Sequence, residues 1–361
     1  MAETDEKSAL IAMSGGVDSS VAAYLMLQQG YRCEGTTMRL YRNEDIGLSP
    51  FHTCCSQRDI DDASEVTFQL DIPYEVLDYT ADFKEKVIDK FIRTYESGGT
   101  PNPCIDCNRC MKFDKLFKAA KERGLSNIAT GHYARIEFDS NTGRWLLKKA
   151  VDPGKDQSYV LYMLNQDQLA HLQLPLGTKT KAEVRSIAGR LGFCNARKHD
   201  SQDICFVPDG DYVKFMEQYT GKHYAPGAFV DLDGTVVGEH RGAVRYTLGQ
   251  RKGLGLSMGE PVYVCAKDMQ ANTVTVGPES ALYSKHLFAQ DMNWIAVPHL
   301  DAPMRVQAKT RYQQKEQAAT VFPEGNHGIR LDFDMPQRAV TAGQAVVLYD
   351  GDTLVGGGTI C

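Results

Sequence analysis

No stretch of the 361 residues reaches the roughly 20 consecutive apolar positions that a bilayer-spanning helix needs, so none of them is expected to cross a membrane as a helix. The acidic start, Met1-Ala2-Glu3-Thr4-Asp5-Glu6-Lys7, lacks the apolar core of a signal peptide. A cytoplasmic protein with no membrane partner is the expectation. There is no G-x-x-x-x-G-K-[ST] loop, which removes phosphoryl transfer of the P-loop kind. There is no excess of positive charge: the net charge is −6, so any nucleic-acid contact must rest on local clusters. Long repeats and low-complexity linkers are also missing, which argues for ordinary globular domains, two or three at this length. Cysteine, by contrast, is plentiful. Ten cysteines in a reducing compartment point to metal or redox chemistry at some of them, not to a disulfide framework.

The most informative segment follows the apolar run Ala9–Met13. Ser14-Gly15-Gly16-Val17-Asp18-Ser19-Ser20 reads as a strand end, a tight glycine turn and the start of a helix. Free N–H groups and the dipole at a helix N-terminus suit an anion, and glycines let the backbone approach it. Ser14 and Ser19 add hydroxyls, and Asp18 is placed to hold Mg²⁺ on phosphate oxygens. The pattern S-G-G-x-D-S resembles the pyrophosphate loop of ATP pyrophosphatases, which split ATP between its α and β phosphates. The competing reading is an ordinary capped helix after a turn.

Around this loop the first 130 residues alternate strand and helix. Strands are expected at Ala9–Met13, Arg32–Met38, Pro73–Leu77 and Asn127–Thr130. Helices are expected at Asp18–Gln29, Asp59–Leu70, Ala81–Tyr95 and Met111–Arg123, with Gly30 and Gly124 as terminators. This alternation predicts an α/β fold with a doubly wound parallel sheet. Nucleotides then bind at the strand C-termini, where Ser14, Met38 and Gly131 fall. Ala134–Ala150 reads as an inserted hairpin, and Asp167–Leu172 and Lys181–Leu191 as helices. Beyond about residue 240 short strands take over: Val262–Ala266, Thr273–Val276, Met304–Arg311, Ala318–Phe322, Gly328–Phe333, Ala345–Tyr349 and Thr353–Gly357. Their spacing predicts a small β-barrel or sandwich. Basic residues cluster in Lys179–His199 and again at Arg241, Arg245, Arg251 and Lys252. Two such tracts in an acidic chain are candidates for an RNA groove, against the plainer reading of a solvated face.

Thr100-Pro101-Asn102-Pro103-Cys104-Ile105-Asp106-Cys107-Asn108-Arg109-Cys110 places three thiols at C-x-x-C-x-x-C spacing after two prolines. A helix starting near Cys107 would lower that thiol's pKa through its dipole and make it a nucleophile or metal ligand. A distant thiol, Cys205, lies in Asp200-Ser201-Gln202-Asp203-Ile204-Cys205-Phe206. Sulfur delivery uses two thiols of this kind: one carries a persulfide, and the other attacks it and forms a disulfide. Zinc on Cys104, Cys107, Cys110 and Cys205 is an alternative. Cys33, Cys194 and Cys265 read as packed thiols, Cys54-Cys55 as ambiguous and Cys361 as incidental.

Taken together, S-G-G-V-D-S-S, N-P-x-x-x-C-N and the remote I-C-F cysteine resemble the bacterial tRNA-specific 2-thiouridylases. So do Ala129-Thr130-Gly131-His132-Tyr133-Ala134-Arg135, Gly154-Lys155-Asp156-Gln157-Ser158-Tyr159, Tyr246–Gly255, Arg311-Tyr312, Ala342-Gly343-Gln344-Ala345-Val346 and Tyr349-Asp350-Gly351. The resemblance covers essentially the whole chain and implies 2-thiolation of the wobble uridine of tRNA. It implies a Rossmann-like ATP-binding catalytic domain (1–208), a small central tRNA-binding domain (209–284) and a C-terminal β-barrel (285–361). ATP would lie on Ala12, Met13, Ser14, Gly15, Gly16, Val17, Asp18 and Ser19, with Met38 and Gly131 near the adenosine. Asn102, Pro103 and Cys104 would meet the target base. His132, Lys155, Asp156, Gln157, Arg311, Tyr312 and Gln344 would contact tRNA. Cys107 would be the nucleophile and Cys205 the persulfide carrier, supplied by a cysteine desulfurase or a sulfur-carrier relay.

This chain departs from many family members in having Cys104 where they carry aspartate. Related thiolation enzymes with C-x-x-C and a remote cysteine hold a 4Fe–4S cluster on three thiolates, and Cys104, Cys107 and Cys205 fit that set as well. In the other reading, Cys104 simply replaces the aspartate and adds a resolving thiol. Two further classes stand against tRNA thiolation: a synthetase acting on a small metabolite, and a non-catalytic iron–sulfur or tRNA-binding module.

Overall fold

The computed structural model describes residues 7–42, 57–200, 204–207, 209–325 and 328–361. The Cys54-Cys55 pair, the residues before Lys7 and the Ser201-Gln202-Asp203 part of the Cys205 motif lie outside them. The chain divides into two compact units. The first comprises Met1–Ile88, Pro103–Gly210 and Asp352–Leu354; the second comprises Asp89–Asn102, Asp211–Gly351 and Val355–Cys361.

The first unit is built on five parallel strands in the order β3-β2-β1-β4-β7. They are β1 (Ser8–Ala12), β2 (Arg32–Arg39), β3 (Tyr74–Asp78), β4 (Asn127–Ala129) and β7 (Leu172–Gln173). Ala9, Leu10 and Ile11 on β1 are wholly buried, as both faces of a parallel sheet are covered by helices. Helix α1 (Val17–Gln28) packs Val21, Ala22, Ala23 and Met26 into the same core as Val184 and Ala188 of the helix Lys181–Leu191. Small side chains on both helices allow close approach, and each large one such as Met26 contributes about 1.5–3 kcal/mol by burial. The Lys181–Leu191 helix has the expected bounds because Thr180 and Glu183 form a capping box and left-handed Gly192 ends it. The order reverses at β1, whose neighbours are β2 on one side and β4 on the other. The crevice between the ends of β1 and β4 is therefore where open α/β sheets generally bind ligands. The expected hairpin is present as β5 (Arg135–Asp139) and β6 (Arg144–Lys148), and Lys148 of β6 pairs with Thr353.

Within the second unit, β8 (Gly227–Val230), β9 (Val236–His240), β10 (Tyr263–Asp268) and β11 (Thr273–Gly277) form one sheet over Phe229, Tyr246, Val264 and Val274. The expected β-barrel is closed by six strands. These are β12 (Tyr283–Trp294), β13 (Met304–Lys309), β14 (Gln317–Glu324), β15 (Gly328–Arg338), β16 (Ala345–Asp350) and β17 (Thr353–Ile360). Pairing of β12 with β17 removes the open edge. The core alternates as the pleat requires: Val306 and Ala308 on β13 and Ala319 and Val321 on β14 point inward.

Candidate functional site

Gly15 and Gly16 make the turn between β1 and α1. Gly15 sits at φ +69, and a Cβ there would lie 2.2 Å from the Asp59 carbonyl oxygen. Only glycine fits that backbone and that gap. Helix α1 begins at Val17, one residue earlier than expected, with Gly16 as an N-cap that supplies no side-chain hydrogen bond. The first-turn N–H groups are thus not consumed by a cap, which disfavours the ordinary capped-helix reading. Ser19 Oγ accepts from Ser14 N–H and from Ser14 Oγ, both at 3.2 Å, and donates to the Gly16 carbonyl at 2.9 Å. Ala12 ends β1, and Met13 is buried with its carbonyl accepting from Thr37 Oγ1 at 2.6 Å. A Cβ on Gly131 would come within 2.8 Å of the Ser19 nitrogen, so the loop after β4 runs directly against the α1 terminus. Met38 is half-buried near the end of β2.

Five charged side chains converge beside this turn. Asp18, with its side chain 30% exposed, accepts from Lys181 Nζ at 2.7 and 2.8 Å and from the Tyr133 hydroxyl at 2.8 Å. Lys181, only 11% exposed, also meets Asp200 at 2.7 Å, and Asp200 is shared by Lys155 at 2.6 Å and Arg185 at 3.1 Å. Burial pushes the Asp200 carboxyl up, but hydrogen bonds from Lys155 and Lys181 outweigh it and hold it below its ordinary value. On the other side Lys198 bonds Asp59 and Asp62, each at 2.6 Å. The Lys179–His199 tract, read as a candidate RNA groove, therefore turns Lys181, Arg185 and Lys198 towards carboxylates around the glycine turn. Of the acids that face them only Asp200 adjoins the tract in sequence, while Asp18, Asp59 and Asp62 lie far from it along the chain.

The cysteine loop differs from expectation in one physical respect. The helix starts at Pro103, where proline suits the first turn, and continues from Cys107 to Phe113 with π-helical hydrogen bonding. Cys107 thus lies a full turn inside, 7% exposed, and feels burial more than the dipole. Its thiol is pushed up to about 11, with Lys112 opposing and Cys104 adding to the rise. Cys104 is exposed, Cys110 and Cys205 are partly exposed, and no disulfide joins cysteines among the described residues. The Cys205 carbonyl accepts from the Tyr41 hydroxyl at 2.8 Å, while Phe206 beside it is buried edge-on against Phe83. Among the described residues no three His, Cys, Asp or Glu side chains are placed to hold a metal ion. Cys104, Cys107 and Cys205 therefore do not converge as cluster ligands, and the zinc set with Cys110 is likewise unassembled. Of the thiols read as packed, Cys33 is buried and pushed up to about 11, Cys265 is partly exposed, and Cys194 is exposed. Cys194 follows the end of the Lys181–Leu191 helix, where its thiol faces the Asp62 carbonyl instead of a core.

Three family profiles match the chain in succession. One described as tRNA methyl transferase HUP domain covers residues 7–209, one described as tRNA methyl transferase PRC-barrel domain covers 213–278, and one described as Aminomethyltransferase beta-barrel domain covers 284–360. A protein named tRNA-specific 2-thiouridylase MnmA from Acetivibrio thermocellus is 49% identical, over 98% of this chain and 99% of its own. Proteins of the same name from Clostridioides difficile and Moorella thermoacetica are 48% and 50% identical, over 98% and 97% of this chain and 98% of each of theirs. This chain belongs to the tRNA-specific 2-thiouridylase family. Among solved structures, a 4-thiouridine synthetase–RNA complex with bound ATP aligns over 60% of this chain and 50% of that one, at 19% identity and TM-score 0.36, too slight a likeness to argue from.

In this 2-thiouridylase family member, several residues expected at tRNA have inward-facing roles. His132 is buried, with Nδ1 2.8 Å from Thr130 Oγ1, and burial, then Lys112, pushes it down to about 3, so it is neutral. Asp156 accepts from the Ala150 N–H at 3.0 Å and from Ser158 Oγ at 2.8 Å, and Gln157 Oε1 accepts from the Tyr133 N–H at 2.9 Å. These bonds shape the loop that carries Lys155. In the second unit, Gln344 Nε2 donates to the Thr100 carbonyl at 2.7 Å, holding the residues just before Asn102. Arg311 donates to the Ala339 carbonyl and to Thr341 Oγ1, both at 3.0 Å, and Tyr312 is exposed. In the first unit Pro103 is buried beside exposed Cys104. Sequence reasoning missed Asn108, whose Nδ2 donates to the Val160 carbonyl at 2.9 Å while its buried Oδ1 has no hydrogen-bond partner among the described residues. It also missed Asn195, and the bonds of Tyr133 and Lys181 to Asp18, which exist only through tertiary contacts.

Proposed function

We propose that this chain is an ATP-dependent tRNA-uridine 2-sulfurtransferase acting on the wobble uridine. The observation that carries the reading is its likeness, over nearly its whole length, to relatives named tRNA-specific 2-thiouridylase. The uncapped glycine turn at the sheet's switch point supports the ATP half of it. ATP lies with its phosphates on Met13–Ser19 and its adenosine beside Met38 and Gly131. The Asp18 carboxylate and substrate phosphates make the ordinary donor set for Mg²⁺, which when bound draws off phosphate charge. Lys181 then exchanges its bond to Asp18 for phosphate oxygen.

The flipped-out uridine, met by Asn102, Pro103 and Cys104, attacks the α-phosphorus through O2 and pyrophosphate leaves. A poor leaving group, the carbonyl oxygen, has become AMP. Cys205, loaded as a persulfide by a cysteine desulfurase or a carrier relay, adds its terminal sulfur to C2 and AMP departs. The Cys107 thiolate attacks the Cys205 sulfur, the S–S bond to the base breaks, and its electron pair stays on the thiouridine. The product disulfide, Cys107–Cys205, is reduced by an external thiol. No step runs through a cluster, because the three thiols do not assemble as its ligands. In the second unit the central domain (209–284) and the barrel (285–361), with Arg311, Tyr312 and Gln344, bind tRNA, and in the first unit Lys155 does so.

The test is the purified chain with unthiolated tRNA, ATP, Mg²⁺ and a persulfide donor. AMP and 2-thiouridine are expected in equal amounts. AMP release at the same rate without tRNA would favour a small-metabolite synthetase. No AMP and no 2-thiouridine from the wild-type chain would favour a non-catalytic module, and undiminished thiolation by Asp18→Asn or Ser19→Ala would overturn the ATP site at Met13–Ser19.

A further inference from the structure

The Gly15–Gly16 peptide unit is gripped from behind. The Gly15 carbonyl oxygen accepts from Asn195 Nδ2 and from Lys198 Nζ, both at 3.1 Å. A trans peptide places its C=O and N–H on opposite sides, so fixing the Gly15 carbonyl also fixes the Gly16 N–H. Gly16 is the N-cap of α1, and its N–H donates to no group among the described residues. Two adjacent glycines offer little steric resistance to rotation of the peptide between them. Rotated, the unit would turn a carbonyl oxygen towards a bound anion instead of a donor.

We propose that Asn195 and Lys198 are positioning residues of the phosphate loop, holding the Gly15 carbonyl back so that the Gly16 N–H faces the triphosphate. Each is itself immobilised. Asn195 is 2% exposed, and its Nδ2 also reaches Ser20 Oγ at 2.9 Å. A carbonyl oxygen only accepts, so the amide must present its nitrogen to Gly15. Lys198 is anchored by Asp59 and Asp62 at the start of helix α2 (Gln57–Gln69), whose backbone touches the turn at Gly15. The inference rests on the reading that Met13–Ser19 binds ATP, and neither residue is asked to touch ATP itself.

Three variants test it. Asn195→Leu removes one donor without changing charge. Lys198→Met alone strands two carboxylates, so it is combined with Asp59→Asn and Asp62→Asn. Lys198→Arg keeps a cationic donor. The readouts are the Kd for ATP, the Kd for tRNA, KM and kcat for thiolation, and melting temperature. Asn195→Leu and the triple variant are each expected to weaken ATP binding at least tenfold and raise the KM for ATP, with tRNA affinity within twofold of wild type. Lys198→Arg is expected to stay within threefold for ATP. Folded variants that bind ATP as tightly as the wild type would overturn the clamp alone. A wild-type chain that binds no ATP would overturn the ATP reading and the clamp with it.

Discussion

Replacing Gly15 by alanine separates two physical demands that meet at this turn. At φ +69 an alanine suffers left-handed strain of about 1–2 kcal/mol. Its Cβ would also stand 2.2 Å from the Asp59 carbonyl oxygen and 2.7 Å from the carbon, and overpacking against a backbone adds about 1–3 kcal/mol. Gly30, just beyond the other end of α1, has the same handedness at φ +79 but nothing within 4 Å of its Cβ position. Gly30→Ala therefore carries the strain alone. The two variants should differ by about 1–3 kcal/mol, which in a unit of this size is about 2–12 °C in melting temperature. Relieving the clash moves the turn by about 1 Å, which at a reacting centre costs about 100-fold in rate. Thermal unfolding, ATP binding and tRNA thiolation of both variants are the assays. Gly15→Ala is expected to melt lower than Gly30→Ala and to lose thiolation, while Gly30→Ala keeps it. Equal melting temperatures with full activity of Gly15→Ala would refute the reasoning, as would an equal loss of activity in Gly30→Ala.

Cys107 of the free enzyme should be nearly inert to iodoacetamide at pH 8, because a pKa of about 11 leaves about one thiol in a thousand ionised. Burial favours the neutral form, so its alkylation rate should climb tenfold per pH unit towards pH 11, followed by mass spectrometry of the 103–113 segment; a plateau near pH 7 would contradict the burial argument. Gln344→Ala removes the donor that holds the Thr100 carbonyl, a loss of about 0.5–1.5 kcal/mol, and should lower tRNA thiolation while leaving ATP affinity unchanged. Unchanged thiolation by Gln344→Ala would show that this bond does not organise the Asn102 loop.

The elements that could be read from the sequence are those whose cues are local. β1 to β4, α1 and the Lys181–Leu191 helix carry apolar runs, caps and glycine stops within a few residues of their ends. β12 escaped notice because Leu287 and Ala289 are its only buried residues and a register shift at Ser284–His286 breaks its alternation. β7 is two residues long and pairs only through β4, so nothing in Leu172-Gln173 marks a strand. At the site, the glycine turn was legible because its chemistry is contiguous. The partners of the Lys179–His199 tract were not, because a run of cations looks the same whether it faces RNA or carboxylates distant in sequence such as Asp18 and Asp59. The expected lowering of the Cys107 pKa assumed a helix start at that residue, but the helix starts one turn earlier at Pro103 and burial raises the thiol instead.

The two halves of the proposed chemistry are prepared to different degrees, and the difference orders them. At the proposed phosphate loop the glycine turn, the uncapped helix and the ionic partners stand in place. The sulfur half is at rest, since a buried thiol held near 11 is a poor nucleophile at neutral pH. An enzyme whose Cys107 were ionised beforehand would meet the Cys205 persulfide with no activated base to receive sulfur, and would discharge it uselessly into a disulfide. In the proposed mechanism, a Cys107 that stays buried until the uridine is adenylated would avoid that loss. Cys107 opens the π-helical stretch that runs to Phe113, a geometry frequent at functional sites, and Asn108 beside it is tied to the Val160 carbonyl through Nδ2 while its buried Oδ1 has no hydrogen-bond partner among the described residues.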